Sequence, residues 1–88
     1  MELTRFTEAD QRELVEANIL QAEREIYGAE LDIKIWEQIE KGTPEALLAE
    51  VKTKVKTARF NLRMARAKHM VYTAELARLP EAVPEIVD

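Results

Sequence analysis

Apolar residues recur at alternating steps of three and four residues through two long stretches of this chain. A sustained spacing of about 3.5 residues is typical of α-helices that wind around each other as a left-handed coiled coil. The first series is Val15, Ile19, Ala22, Ile26, Ala29, Ile33 and Trp36, and the second is Leu48, Val51, Val55, Ala58, Leu62, Ala65, His69, Tyr72, Leu76 and Leu79. The pattern therefore predicts two long helices that share an alanine-rich seam.

A single strong break, Lys41-Gly42-Thr43-Pro44, separates the two series. Glycine ends helices readily because it tolerates a positive φ. Threonine is a favourable N-cap, and proline suits the first position of a helix. We therefore expect Gly42 to end the first helix, Thr43 to cap the second, and Pro44 to begin it.

The other helix ends have weaker signals. Thr7 and Asp10 predict a cap for the first helix, and Pro80 ends the second. The predicted bounds are about 8–41 for helix 1 and about 44–79 for helix 2, with a turn at 42–43. A link this short makes the helices antiparallel.

The predicted organisation is thus a single all-α domain. Residues 1–79 form an antiparallel two-helix hairpin with an alanine-rich, coiled-coil-like seam, and residues 80–88 form an extended tail that contains two prolines. A chain of 88 residues is too short for a second domain. With only two Gly and three Pro, it has too few turn residues for a sheet protein.

Folding the chain about the Thr43–Pro44 junction predicts which residues face each other across the seam. The predicted layers are Trp36/Val51, Ile33/Val55, Ala29/Ala58, Ile26/Leu62, Ala22/Ala65, Ile19/His69 and Val15/Tyr72. The same alignment predicts the ion pairs Glu37/Lys52, Glu30/Arg59, Glu23/Arg66 and Asp32/Lys54. Opposite charges on the flanks of a coiled coil specify orientation and register more than they stabilise it.

The seam leaves apolar residues on the outer faces of both helices uncovered. Two helices alone make a small core, and exposed apolar stripes mark interaction surfaces. The predicted interface residues are Leu20, Tyr27, Leu31, Ile35, Phe60, Met64 and Val71. Three occupants fit such stripes: a further copy of the chain, which would complete a helical bundle, a different protein, or a bound lipid or small molecule.

The chain offers little for chemistry. It contains no Cys and one His, His69, which occupies a seam position. A helical di-iron site needs a Glu-x-x-His motif from each of two helices, and residue 66 is Arg. Helix 1 carries many carboxylates, but these lie on flanks that face solvent or cations. We therefore expect no catalytic residue, no metal site, no cofactor and no enzymatic activity.

Charge is divided unequally between the helices. Helix 1 is acidic, whereas the stretch from Val51 to Ala74 contains Lys and Arg but no acid. Four cations without a predicted partner on helix 1 are candidates for contact with nucleic acid: Lys56, Arg63, Lys68 and Arg78. An acidic helix 1 also suggests a decoy that mimics a polyanion, and an acidic protein partner is a further alternative.

These observations favour a non-catalytic protein–protein interaction module, such as a small adaptor, assembly factor or inhibitor that acts by occupying a surface. Its partner is itself, another protein, or both. A regulatory bundle that binds nucleic acid and the acidic decoy remain alternative functions. No apolar run approaches the roughly 20 residues that cross a bilayer, and no signal peptide is evident. We therefore expect a cytoplasmic protein that does not contact membranes.

Overall fold

A computed structural model describes residues 7–79, which form two antiparallel α-helices. The helix α1 covers Glu8–Lys41 and the helix α2 covers Glu45–Arg78, each with 34 residues. The two helices pack against each other, so the predicted all-α helical hairpin is confirmed. The predicted tail at 80–88 lies outside the described residues.

The start of α1 is a complete capping box. Thr7 is the N-cap, and its Oγ1 accepts a hydrogen bond from the backbone N of Asp10 at 3.1 Å. In return, Asp10 Oδ2 accepts one from the backbone N of Thr7 at 3.3 Å. The predicted roles of Thr7 and Asp10 are confirmed, and two backbone donors that a helix start leaves unpaired are satisfied.

The link between the helices differs in detail from the prediction. Gly42 is the C-cap of α1 but has a φ of −104°, so it ends the helix without the left-handed conformation. Thr43 does not cap α2, because its Oγ1 donates to the carbonyl of Ile39 at 2.6 Å. Pro44 is instead the N-cap of α2, without a side-chain cap. The Thr43 hydroxyl thus satisfies a carbonyl left over by the last turn of α1.

Small side chains fill the seam. Its most buried residues are alanines: Ala22 is 1% exposed, and Ala29, Ala58 and Ala65 are also buried. Val51 and Val55 are buried near the link. Within the described residues, no large side chain is completely buried. Alanines on facing helices let the backbones approach closely, so the seam is narrow and encloses no thick core.

The register of the two helices is displaced from the prediction by one heptad. Arg59 donates to Glu37 Oε2 at 2.7 Å, whereas the predicted partner of Arg59 was Glu30. Glu30 instead lies 3.6 Å from Arg66, whose predicted partner was Glu23. The predicted ion pairs and seam layers, from Trp36/Val51 to Val15/Tyr72, are therefore wrong by seven residues.

The displacement changes which small residues meet. Ala29 and Ala65 line one groove between the helices, so Ala29 lies beside Ala65 and not beside Ala58. The ion pairs place Ala58 near the level of Trp36, and Ala22 near the level of Tyr72. Large side chains are thus matched with alanines in these two layers, while one layer has alanine on both sides.

The geometry of the link explains the displacement. Pro44 is extended, with a ψ of 150°. The chain therefore continues past the end of α1 before α2 begins in the opposite direction. The first buried residue of α2 is consequently Val51, six positions after its first residue Glu45. The residues of α2 before Val51 therefore run back past the link, and the buried part of the seam begins only at Val51.

Candidate interaction surface

The hairpin has a charged side on which α1 and α2 exchange ion pairs. Glu30 and Glu37 pair with Arg66 and Arg59. Further along, His69 Nε2 lies 3.2 Å from Glu23 Oε2. These carboxylates follow one another at heptad spacing on the flank of α1. These three contacts, which we call the ladder, join α1 to the antiparallel α2 and leave this side of the hairpin polar.

The opposite side of the seam holds a shallow groove of about 370 Å³. Gly28 lies in this groove, and a Cβ atom built on it would meet nothing within 4 Å. Met64 of α2 lines the same groove. Lys68 Nζ, 3.4 Å from Glu25 Oε1, bridges the two helices there. No described part of the chain uses the space left by the missing side chain of Gly28.

The outer face of α2 carries an unbroken uncharged row, which we call the outer stripe of α2. Its members repeat the steps of four and three that define a coiled-coil seam, and all are exposed: Phe60, Met64, Ala67, Val71 and Ala74. Ala67 follows the buried Ala65 by two residues, about 200° around the helix. The outer stripe of α2 thus has the spacing of a seam on the side of the helix opposite the first, with no cover among the described residues.

The outer face of α1 is apolar but interrupted. Leu31 and Ile35 are 40% and 53% exposed, and Tyr27 is 64% exposed. Leu20 lies seven residues before Tyr27 and shares its side of the helix. The predicted interface residues therefore divide between the two helices, with Phe60, Met64 and Val71 in the outer stripe of α2. All seven are exposed, and no contact in the structure tests their role.

Four exposed apolar residues had no place in the predicted interface. Met70, at 72%, is the most exposed large apolar side chain that the structure describes, and it lies beside the outer stripe of α2. Leu14, Ile39 and Leu47 are also exposed. Leu14 shares a heptad position with Gly28 and Ile35. That spacing was a usable signal, but Gln21 interrupts the series.

The cations predicted to be available for nucleic acid fall into two groups. Lys68 pairs with Glu25, and Arg78 pairs with Glu75 one turn earlier in α2. Those two predictions of free cations are wrong, because the displaced register and a local contact supply partners. Lys56 and Arg63 have no ion-pair partner among residues 7–79, and neither have Lys52 and Lys54, whose predicted partners were Glu37 and Asp32.

The pair at the end of α2 changes the titration of both groups. The hydrogen bond from Arg78 lowers the pKa of Glu75 below its ordinary value of 4.5. The same hydrogen bond raises the pKa of Arg78. Both side chains are exposed, so solvent screens the pair and limits its contribution to stability.

His69 and the carboxylates of the two helices are the described side chains that bear on metal binding. No group of three or more His, Asp or Glu side chains within residues 7–79 is placed to hold a metal ion. His69 is partly exposed and faces a carboxylate of the ladder. Neither helix is sufficiently long and apolar to cross a membrane.

No protein-family model matches the chain. No curated sequence and no solved structure matches it either.

Proposed function

We propose that the protein is a non-catalytic interaction module whose outer helix faces bind another polypeptide. The outer stripe of α2 carries this proposal. Its apolar residues are exposed over a length of about four turns, and they keep the spacing of a coiled-coil seam. An uncovered seam of this kind is suited to receive one further helix.

The amount of exposed surface supports the same function. Within residues 7–79, eleven large apolar side chains are at least 40% exposed. A single layer of two helices leaves both of its sides and both of its edges in water. Helical domains normally bury such apolar faces against a second layer. An additional polypeptide supplies that layer here.

The alternatives have weaker support. Binding to nucleic acid relied on four cations, of which Lys68 and Arg78 are now paired within the chain. Mimicry of a polyanion relied on the carboxylates of α1, yet several of them face cations of α2. The displaced register leaves Lys52 and Lys54 unpaired within residues 7–79 in exchange, so the unpaired charge of α2 is redistributed, and the support for either alternative rests on charge alone.

Photo-cross-linking in the cell that makes the protein tests the proposal. A benzoylphenylalanine replaces Phe60 in one variant and Leu31 in another, with a control at the exposed Lys52 on the charged side. We expect polypeptide adducts from position 60 or 31 and none from position 52. Val71→Glu in the same chain should remove the adduct at position 60. Absence of adducts from both apolar positions would overturn the proposal.

A further inference from the structure

We infer that the occupant of the outer stripe of α2 is the same stripe of a second copy, packed antiparallel about a two-fold axis at Ala67. This inference rests on the proposed interaction function and names its partner. A two-fold contact uses one patch twice, so the patch must complement itself in shape and in charge.

The sizes of the side chains satisfy this condition. Phe60 lies one heptad before Ala67, and Ala74 lies one heptad after it. A two-fold at Ala67 therefore places the large Phe60 of each copy against the small Ala74 of the other. Met64 then meets Val71, and the alanines on the axis let the two helices approach closely.

The charges beside the stripe satisfy it as well. Lys56 and Arg63 flank the first half of the stripe, whereas Met70 and Ala77 hold the equivalent positions in the second half. An antiparallel partner brings Arg63 opposite Met70 and Lys56 opposite Ala77. A parallel partner would instead set each of these cations opposite itself, which is unfavourable.

One like-charged pair remains near the axis, because Lys68 of each copy faces Lys68 of the other. The register of the hairpin reduces the repulsion in this pair, because it gives each Lys68 an acidic partner. Each Lys68 lies 3.4 Å from Glu25 of its own α1, so the two ammonium groups meet as neutralised pairs. In the register predicted from the sequence, Lys68 was unpaired and this contact would have been repulsive.

The exposed fractions suggest the strength of the contact. Phe60, Met64, Met70 and Val71 are between 45% and 72% exposed. Covering them and the neighbouring alanines buries on the order of 600 Å² on each copy, near the lower limit for specific interfaces. We therefore expect a dimer with a dissociation constant of order micromolar.

An exchange of side-chain sizes tests this pairing. Sedimentation equilibrium of the full chain, from about 1 to 500 µM, compares the natural sequence with Phe60→Ala, Ala74→Phe and the double variant. Phe60→Ala leaves a gap and Ala74→Phe places two rings together, so each single change should weaken the dimer at least about tenfold. The double variant restores one large and one small side chain in each layer and should recover the affinity to within about threefold.

The outcomes separate this inference from the proposed function. A monomer at all concentrations overturns the inference, as does a dimer that both single variants leave unchanged or a double variant that stays weak. If the monomeric chain still forms Phe60 adducts with a different protein in the cell, the interaction function stands and only the second copy is excluded. A monomer without adducts overturns both. Far-UV circular dichroism verifies that each variant keeps its helix content.

Discussion

Arg59 on α2 donates a hydrogen bond to Glu37 on α1 at 2.7 Å, although the heptad pattern offers Glu30 an equally good position. The two carboxylates occupy the same place in successive heptads. Both alignments match apolar with apolar and acid with base, so charge and hydropathy do not distinguish them. The contact between Arg59 and Glu37 identifies which of these two alignments the hairpin adopts.

An engineered disulfide tests this register directly, because the natural chain has no cysteine. Ala29→Cys with Ala65→Cys should form an intramolecular disulfide, since these residues adjoin one groove of the seam. The control pair, Ala29→Cys with Ala58→Cys, lies one heptad or about 10 Å apart along the helix axis and should remain reduced. Non-reducing mass spectrometry of the monomer gives the answer. Preferential oxidation of the control pair would restore the register predicted from the sequence.

Gly28→Ala should stabilise the hairpin by about 1 kcal/mol. A Cβ atom at this position meets nothing within 4 Å, so alanine supplies its higher helix propensity without a clash. Urea denaturation measures the free energy of unfolding. As a control, Ala29→Gly, within the buried seam, should destabilise the hairpin by a similar or larger amount. A loss of stability in Gly28→Ala would mean that this groove is already filled in solution.

Thr7→Ala should destabilise α1 by about 0.5–2 kcal/mol because it removes the hydroxyl that caps the helix. Thr7→Ser keeps the acceptor and should remain within a few tenths of a kcal/mol of the natural chain. Amide hydrogen exchange over the first two turns measures the effect locally. Equal protection in the alanine and serine variants would show that the capping box contributes nothing.

The pair of Glu75 and Arg78 has a defined pH dependence. Because the hydrogen bond lowers the folded-state pKa of Glu75, its stabilising effect is fully present above the ordinary value of 4.5 and is lost as the pH falls through the lowered value. A carboxyl-carbon NMR titration should report that lowered pKa, and Arg78→Ala should return it toward 4.5. An identical titration curve in both proteins would show that the pair does not form in solution.

Binding to nucleic acid should be weak. Among the described residues, α2 has four cations without an ion-pair partner, Lys56 and Arg63 from the predicted contacts together with Lys52 and Lys54, and so few phosphate contacts give weak, salt-sensitive binding. We expect no saturation of a fluorescent duplex or single strand at about 100 µM protein in about 50 mM salt. Fluorescence anisotropy measures this, with Lys56→Gln/Arg63→Gln as the control. Tight binding that the control abolishes would favour the regulatory bundle over the interaction module.

The heptad spacing and the single break at residues 42–44 determined much of this protein by themselves. They predicted two helices, their approximate ends, an antiparallel hairpin and an alanine seam, because each of these depends on local propensity or on the periodicity of one helix. The capping box at Thr7 follows from four neighbouring residues for the same reason. The exposure of Leu31, Phe60 and Met64 also follows, since residues that lie opposite a seam on a two-helix hairpin have nothing to cover them.

Only the tertiary structure decided the register. A seven-residue translation leaves a heptad pattern unchanged, so the sequence alone contains two nearly equivalent alignments of α1 and α2. The conformation of the link distinguishes them. The Thr43 hydroxyl donates to the carbonyl of Ile39, and Pro44 is extended, so α2 begins beyond the end of α1. That displacement pairs Lys68 with Glu25. The conformation of Thr43 and Pro44 thereby determines whether Lys68, on the outer side of α2, has an acidic partner.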